Sequence, residues 1–362
     1  MEKKSNKILI AAGGTGGHIL PALAIADGLK HIDKSCRIEF VRGSSLLEKN
    51  IYSRCSFVTH CLSVGRLRKN VKRVERWKTF ISLPFILLKA LILLIKLKPS
   101  LVIGTGGAVS GPLLLAAFLL RKKTIIFEFN VIPGLTNRWL SYIVDEVIFV
   151  FSTTKKYFPS KAKKHTQFPF PIRSAISQVS IKNQPDHPLR ILVLGGSQGS
   201  FVINKVVSEF IVSEDTSRFS FVHQAGERDF ESLKKIYSVC DNVRAFSFLH
   251  NIHEVYAWAD LVIGRAGMGT IAEISAVGRA GIVIPLASSA DQHQLKNAQD
   301  LEYQSAIICV KEEDFNKEEL KSLLTSLVNN PQKISRLSAC VHDLKLGATA
   351  DNIAGYLLKR FF

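Results

Sequence analysis

Two glycine-rich turns are the segments of this chain best suited to chemistry. GGTGGH at residues 13–18 follows the apolar run KILIAA, and GGSQG at residues 195–199 follows RILVL. Glycines between a strand and a helix let the backbone approach a ligand closely, and the helix dipole favours negative charge there. Each turn is therefore predicted to bind a phosphate or diphosphate. The alternative is a tight strand-to-helix connection without a ligand.

Polar side chains stand within and after the second turn. Ser197 and Gln198 would donate hydrogen bonds to the diphosphate or cap the following helix. Thr270 and Glu273 are predicted in the first turn of a later helix that begins in RAGMGTIAE. A carboxylate there suits a pair of sugar or ribose hydroxyls, and the alternative is a capping acid stabilised by the helix dipole.

Motifs that the sequence lacks narrow the phosphate ligand. Neither turn spells G-x-G-x-x-G, the second predicted strand ends without an acidic residue, and no G-x-x-x-x-G-K-[ST] loop occurs. These features disfavour a dinucleotide-binding domain and a P-loop NTPase. Two domains whose strand ends face one cleft would suit a ligand with two parts, a nucleotide and a transferred group.

Other polar and sulfur side chains form no recognisable site. His293, Gln294 and Asn297 lie on a polar helix face, for which solvent exposure is the simple interpretation. The six cysteines are scattered, without a Cys-x-x-Cys pair or a histidine at metal-ligand spacing. We therefore expect reduced thiols, no metal site and no cofactor.

Composition and charge restrict the class of protein. A chain of 362 residues favours two domains. The net charge of +18 favours an anionic partner, which is a nucleic acid, an anionic membrane or a phosphorylated substrate. No aromatic–basic motif for nucleic acid is found. Five apolar residues before the first glycines are too few for the ~7–15 of a signal peptide, so a cytoplasmic protein is expected.

Short apolar runs predict two doubly wound α/β domains. Each glycine turn opens a strand–turn–helix unit, and further runs separated by helical patterns fit parallel strands buried on both faces. The linker is predicted in the polar residues 180–188, and a C-terminal helix from residue 351 is expected to pack back across it. The predicted strands cover residues 7–12, 38–41, 101–103, 124–127, 146–151, 190–194, 219–223, 261–263, 281–285 and 306–310.

An apolar segment between Lys78 and Lys96 resembles a membrane span in hydropathy. We expect Pro84 to start this helix, which leaves roughly 14 residues, or about 21 Å, against a hydrocarbon core of ~30 Å. Lys89 would also lie near the middle of a span. The segment is therefore predicted to pack on a sheet or lie in a membrane interface.

Seven cations immediately precede the apolar segment. They would seat the chain on anionic lipid at ~1 kcal/mol per charge, and the alternative is a solvated charged surface. These residues are Arg66, Arg68, Lys69, Lys72, Arg73, Arg76 and Lys78.

Seven blocks, in order and over nearly the whole chain, resemble one branch of glycosyltransferase family 28. That branch transfers N-acetylglucosamine from its UDP donor to N-acetylmuramyl-(pentapeptide) pyrophosphoryl-undecaprenol, the conversion of lipid I to lipid II in peptidoglycan synthesis. The blocks are GGTGGHILPALAIA, GTGGAVSGP, NVIPGLTNRW, FPFPIR, LGGSQGS, YAWADLVIGRAGMGTIAE and HQLKNA.

The resemblance implies a GT-B fold, an inverting reaction and a division of labour between domains. Residues 1–178 would bind the acceptor and the membrane, residues 188–340 would bind the UDP-sugar, and residues 341–362 would form the C-terminal helical segment. The enzyme would lie peripherally on the cytoplasmic face of the inner membrane. Other cell-wall synthesis proteins are expected partners, and nucleic acid is not.

The resemblance also assigns site residues. His18 would be the base that deprotonates the acceptor hydroxyl, or a ligand of the acceptor diphosphate, and Glu128 is the reserve candidate base. The implied substrate contacts are Thr15, Gly16, Gly17, Asn130, Arg173, Ser197, the Leu249 backbone, Met268, Gly269, Thr270, Ile271, Ala272, Glu273, His293 and Gln294.

The chain departs from the family pattern beside the candidate base. Phe127 and Phe129 flank Glu128, where the family usually has His and Gln, so two polar groups are replaced by phenyl rings. This departure puts acceptor handling in doubt more than donor binding. Another UDP-sugar transferase, a UDP-sugar epimerase and a non-catalytic membrane-associated scaffold are the alternative functions.

Overall fold

The computed structural model describes residues 6–64, 73–159, 164–195, 199–289 and 292–362, without the side chains of residues 73–81. The chain forms two compact units. The first comprises Met1–Pro171 and Thr349–Phe362, and the second comprises Ile172–Ala348. The second unit therefore begins before the polar segment 180–188, and the last helix belongs to the first unit.

The first unit is built on a parallel sheet with strand order 3-2-1-4-5-6-7. Its strands are β1 (Lys7–Ala12), β2 (Arg37–Arg42), β3 (Val58–Cys61), β4 (Leu101–Gly106), β5 (Lys123–Glu128), β6 (Glu146–Phe149) and β7 (His165–Gln167). Its helices are α1 (Gly16–Ile32), α2 (Leu46–Tyr52), α3 (Arg73–Leu97), α4 (Ser110–Leu119) and α5 (Leu135–Leu140). The short elements β8 (Phe170–Ile172) and α6 (Ser174–Ser177) follow.

The second unit repeats this plan with strand order 11-10-9-12-13-14. Its strands are β9 (Leu189–Leu194), β10 (Phe219–Gln224), β11 (Val243–Phe246), β12 (Leu261–Gly264), β13 (Ala280–Val283) and β14 (Ile308–Cys309). Its helices are α7 (Phe201–Ser213), α8 (Phe230–Ile236), α9 (Ile252–Trp258), α10 (Met268–Val277), α11 (His293–Tyr303), α12 (Lys317–Asn329) and α13 (Pro331–Asp343). The chain ends with β15 (Gly347–Thr349) and α14 (Ala350–Phe361).

The prediction of two doubly wound α/β domains is confirmed. All predicted strands overlap observed ones, because most residues of their apolar runs are buried between helices. The short paired strands β8 and β15 were not predicted. Neither were β3, β7 and β11. They lie at sheet edges or carry exposed polar residues, so they show no continuous apolar run.

In each sheet the strand order reverses at one point. The reversal falls between β1 and β4 in the first unit and between β9 and β12 in the second. Open α/β sheets bind ligands outside the carboxyl ends of the strands at such a point. Both glycine turns, after β1 and after β9, lie at these ends.

The prediction that Pro84 starts the apolar helix is wrong. Helix α3 begins at Arg73 and contains Pro84, so it runs for 25 residues, or about 37 Å at ~1.5 Å per residue. Packing of Ile86, Ala90 and Leu94 on the core holds the helix despite the hydrogen bond that proline removes. Among the described residues, no helix is both long and apolar enough to cross a membrane.

The C-terminal helix α14 packs on α1 within the first unit. Asp351 pairs with His31 at 2.9 Å. Tyr356 donates its hydroxyl hydrogen bond to the buried Glu146 carboxylate at the start of β6. The last helix therefore packs beside α1 and contacts the start of β6.

Candidate active site

A pocket of about 170 Å³ opens at the carboxyl ends of the second unit's strands. Four residues expected from the sequence lie together there: Arg173, Leu249, Thr270 and Glu273. Apolar side chains cover one part of the pocket and charged ones another, as a nucleotide with a base and phosphates requires. The remaining lining residues are Leu194, Gln224, Phe248, Ile252 and Arg265.

Glu273 supplies the carboxylate of this pocket. Its Oε1 accepts a hydrogen bond from Arg173 Nη2 at 3.2 Å, and its Oε2 accepts one from the Tyr256 hydroxyl at 3.0 Å. Burial raises the pKa of Glu273, and the Arg173 charge with both hydrogen bonds opposes that rise. Helix α10 begins at Met268, which places Glu273 in its second turn. The interpretation of Glu273 as a first-turn capping acid is therefore wrong.

The first turn of α10 offers backbone groups to a ligand. Met268, Gly269 and Thr270 are its first three residues, whose N–H groups have no partner one turn earlier. Ile271 and Ala272 have buried side chains, and the Ile271 N–H already donates to Gly267 at 3.0 Å. The structure therefore supports ligand contacts for the first three residues and a core role for the other two.

Leu249 is held in the pocket by a side chain that the sequence did not single out. Its N–H donates to Gln224 Oε1 at 3.1 Å, and both residues are buried. Gln224 ends β10 and so lies at the same edge of the sheet as the glycine turn. The position of a polar residue at the end of a buried strand was the signal that could have identified it.

Arg265 is a second charged residue that the sequence did not single out. It follows β12 and pairs with Glu312, whose other oxygen accepts the Ala287 N–H at 3.0 Å. The Arg265 side chain also donates to the Ile284 carbonyl at 3.3 Å. These contacts fix a guanidinium at the pocket wall.

Helix α11 does not contribute to the lining of this pocket. Gln294 Oε1 accepts the Leu286 N–H at 2.9 Å, and so shapes the loop after β13. Asn297 is fully buried, and His293 is half-buried. The expectation of a solvent-exposed polar face is therefore wrong for Asn297, and its amide belongs to the interior.

The structure describes the first and last residues of the second glycine turn, Gly195 and Gly199. The Gly195 N–H donates to the Gln224 carbonyl at 2.9 Å. At Gly199 φ is +76°, and a Cβ would lie 2.6 Å from the Ala225 carbonyl oxygen, so this position requires glycine. Ser197, with Gly196 and Gln198, lies outside the described residues.

The first glycine turn presents backbone at the surface of the first unit. Thr15 and Gly17 are exposed, and Gly16 is half-buried at the start of α1. The Gly14 N–H is directed inward and donates to Glu48 Oε1 at 2.5 Å. Glu48 is a buried residue of α2 that sequence reasoning missed.

His18 lies where this turn meets the end of β4. Its carbonyl accepts the Thr105 hydroxyl at 2.9 Å. A Cβ at Gly106 would lie 2.6 Å from His18 Nδ1, and φ at Gly106 is +114°. Glycine at this position therefore makes the space that the half-buried imidazole occupies.

The Glu128 carboxylate accepts hydrogen bonds from the loop that follows it. Asn130 donates to Oε1 from its backbone N–H at 3.0 Å and from Nδ2 at 3.2 Å. Gly134 N–H and Asn137 Nδ2 donate to Oε2 at 3.1 and 2.9 Å. Burial raises the pKa of Glu128, and these donors oppose the rise. Four N–H donors hold this carboxylate to the loop, so the geometry favours a structural role for Glu128 over that of a base.

Comparisons with known proteins agree with this geometry. The model of the glycosyltransferase family 28 N-terminal domain matches residues 8–149, and that of the family 28 C-terminal domain matches residues 190–351. The chain is 37% identical to the Bdellovibrio bacteriovorus UDP-N-acetylglucosamine–N-acetylmuramyl-(pentapeptide) pyrophosphoryl-undecaprenol N-acetylglucosamine transferase, over 90% of this chain and 91% of that protein. The chain belongs to glycosyltransferase family 28.

Solved structures agree with the family 28 assignment. The crystal structure of MurG from Acinetobacter baumannii superposes with a TM-score of 0.82 at 26% identity, over 98% of this chain and 99% of that one. The UDP-GlcNAc 2-epimerase of Neisseria meningitidis, at 15% identity and a TM-score of 0.63 over 98% and 100%, shows the fold alone. The protein is thus a family 28 glycosyltransferase of the GT-B fold.

The departure from the family 28 pattern lies inside the protein. Phe127 and Phe129 are each 3% exposed, with ring centroids 5.9 Å apart. Phe129 also meets Phe170 edge-on at 5.0 Å. Phenyl rings at these positions therefore add to the core of the first unit.

Proposed function

We propose that this family 28 enzyme transfers N-acetylglucosamine from UDP-N-acetylglucosamine to lipid I, giving lipid II and UDP for peptidoglycan synthesis. The observation that carries the proposal is the pocket of Arg173, Thr270 and Glu273 at the strand-order reversal. The pocket occurs in a chain that matches a transferase named for this activity over nine-tenths of its length.

The second unit binds the donor in this proposal. The uracil ring of the donor lies against Phe248, Leu249 and Ile252, and the Glu273 carboxylate accepts hydrogen bonds from the ribose hydroxyls. The α10 N-terminus and Arg173 face the diphosphate. Ser197, outside the described residues, stays a predicted diphosphate contact. Gln294 acts by shaping the loop at Leu286.

The first unit binds the acceptor. Thr15, Gly16 and Gly17 present a helix N-terminus to the pyrophosphate of lipid I. Asn130 follows β5 at the same edge of the sheet, where Glu128 orders its backbone and amide.

His18 is the proposed base. A neutral imidazole removes the proton of the acceptor hydroxyl as that oxygen attacks the anomeric carbon, and UDP departs from the opposite face, which inverts the centre. Backbone N–H groups and Arg173 stabilise the charge on the departing UDP. Activity is expected to persist in excess EDTA.

One assay separates this function from its alternatives. Vesicles containing lipid I are incubated with UDP-N-acetylglucosamine labelled in the sugar, and lipid-linked label, free sugar and epimerised UDP-sugar are separated. The proposal expects lipid-linked label that depends on lipid I. Epimerised nucleotide sugar would favour an epimerase. Absence of both products, with UDP bound, would favour a non-catalytic scaffold.

We also propose that the enzyme lies peripherally on the cytoplasmic face of the inner membrane, through α3. Ile86, Ala90 and Leu94 face the core, and the opposite side of the helix exposes four apolar residues. Burial of such side chains in lipid contributes ~25 cal/mol per Å² of apolar surface. The exposed residues are Phe85, Leu88, Ile92 and Ile95, beside Lys89 and Lys96. The seven upstream cations have side chains outside the described part of the chain.

Vesicle co-sedimentation tests the membrane contact. Binding is expected to rise with anionic lipid, to fall with salt, and to weaken in Phe85→Ser/Ile92→Ser. Val239→Ser in the second unit is the matched control, since it also removes an exposed apolar side chain. Binding that is independent of lipid charge, salt and the α3 substitutions would contradict the proposal.

A further inference from the structure

A buried hydroxyl stands directly behind the donor pocket. Tyr256, on α9, is fully buried, and its hydroxyl donates to Glu273 Oε2 at 3.0 Å. Glu273 lines the pocket and Tyr256 does not. Burial and the adjacent carboxylate hold the pKa of Tyr256 well above its ordinary value, so the phenol keeps its proton and acts as the donor. We propose that Tyr256 is a positioning residue that fixes the Glu273 carboxylate for the sugar nucleotide, an inference that rests on the proposed function.

The two oxygens of Glu273 are held in different ways. Oε2 accepts a hydrogen bond from the fully buried Tyr256 phenol. Oε1 accepts one from Arg173, whose side chain is 54% exposed. An exposed guanidinium can exchange the carboxylate for a ligand phosphate, but the buried phenol cannot leave. The Tyr256 contact therefore sets the carboxylate orientation that a pair of ribose hydroxyls meets.

Tyr256 is itself anchored through its backbone. The buried Arg279 side chain donates from Nε to the Tyr256 carbonyl at 3.0 Å and from Nη1 to the Val277 carbonyl at 2.5 Å. Val277 ends α10, the helix that carries Glu273. One guanidinium therefore ties the helix that carries the phenol to the helix that carries the carboxylate, and limits movement between them.

The same contact supports the charge of Glu273. Burial raises the pKa of this carboxyl, and Arg173 and the Tyr256 hydroxyl lower it. Arg265 is a further charged group lining this pocket. Loss of the phenolic hydrogen bond removes one stabilising interaction of the ionised form, so protonation of Glu273 then begins at higher pH. Donor binding that needs the carboxylate weakens earlier as pH falls.

Tyr256→Phe in the full chain tests the inference. Phenylalanine keeps the buried ring, and Glu273 lines the pocket, where water can reach its carboxylate, so we expect the variant to fold. We expect the KM for UDP-N-acetylglucosamine and the dissociation constant of UDP to rise ~10-fold, with kcat and acceptor KM within about twofold. The acidic limb of donor binding is expected to move to higher pH.

Tyr237→Phe is the matched control. Tyr237 is also a buried tyrosine of the second unit, and its hydroxyl is hydrogen-bonded to the buried His223 at 2.9 Å. Neither residue lines the pocket. Tyr237→Phe is expected to leave UDP affinity and its pH dependence unchanged. An equal effect of the two substitutions, or no effect of Tyr256→Phe on UDP binding, would overturn the inference.

A double-mutant cycle shows whether Tyr256 acts through Glu273. In a Glu273→Gln background, Tyr256→Phe is expected to change UDP affinity by less than about twofold. Additive effects would contradict the inference. The transfer assay is read separately, because a wild type that binds UDP but forms no lipid-linked product contradicts the proposed reaction and leaves the test of Tyr256 intact.

Discussion

Glu128 in the first unit and Glu273 in the second differ in the number of hydrogen bonds that their carboxylates accept. Both lie near the carboxyl edge of a sheet, and burial raises the pKa of both. Glu128 accepts four hydrogen bonds from the loop at residues 130–137 and is 3% exposed. Glu273 accepts two and opens into a pocket. The Glu128 carboxylate is enclosed by donors from the following loop, whereas the Glu273 carboxylate can accept further hydrogen bonds from a ligand.

The same difference separates the two units as binding surfaces. In the first unit the carboxylates of Glu48 and Glu128 accept hydrogen bonds from backbone N–H groups. The proposed acceptor contacts there are the glycine turn, His18 and Asn130. In the second unit charged side chains from several elements line one pocket. The comparison therefore supports the proposal that His18 is the base and that Glu273 contributes to donor affinity.

His18→Ala gives the largest expected effect. Loss of a general base costs typically ~10²–10⁴ in rate, so kcat is expected to fall by that factor with saturating donor and acceptor, while UDP affinity is unchanged. His31→Ala is the control, since His31 is an exposed histidine of the same helix that pairs with Asp351. A loss below tenfold would remove His18 as the base and return the first unit to a binding role alone.

Glu273→Gln is expected to have the next largest effect. The amide keeps the shape of the side chain but loses the charge that Tyr256 and Arg173 stabilise, so kcat/KM for the donor should fall ~10–100-fold. In the wild type, donor binding is expected to weaken as pH falls through the raised pKa of Glu273, and the variant should lack this acidic limb. Unchanged donor kinetics and an unchanged pH profile would remove Glu273 from the binding site.

Sequence reasoning reached the fold and much of the site because both depend on local patterns. Buried apolar runs and glycine turns predicted the strands and the strand ends. The family resemblance implied Arg173, and it supported Thr270 and Glu273, which the structure places in one pocket. Sequence reasoning missed Gln224, Tyr256 and Arg265, whose roles depend on partners 17 to 47 residues away along the chain. It also misplaced the start of α3 at Pro84, because the core packing that holds the helix around this proline leaves no local signal. The four donors to Glu128 leave no local signal either.

Glu128→Gln is expected to have the smallest effect on turnover and to test the comparison most directly. The amide group would place N–H atoms against donors from Gly134 and Asn137 or from Asn130, so the free energy of unfolding should fall by ~2 kcal/mol. Because the contacts of Glu128 favour a loop role, kcat of the folded variant should stay within about threefold, with any change in the acceptor KM through the displaced Asn130. Chemical denaturation and initial rates at low temperature measure the two quantities separately. A large fall in kcat without a loss of stability would reverse the assignment. It would mean that the Glu128 carboxylate leaves its four donors in the working enzyme. The two glutamates would then differ less in function than their contacts in this structure indicate.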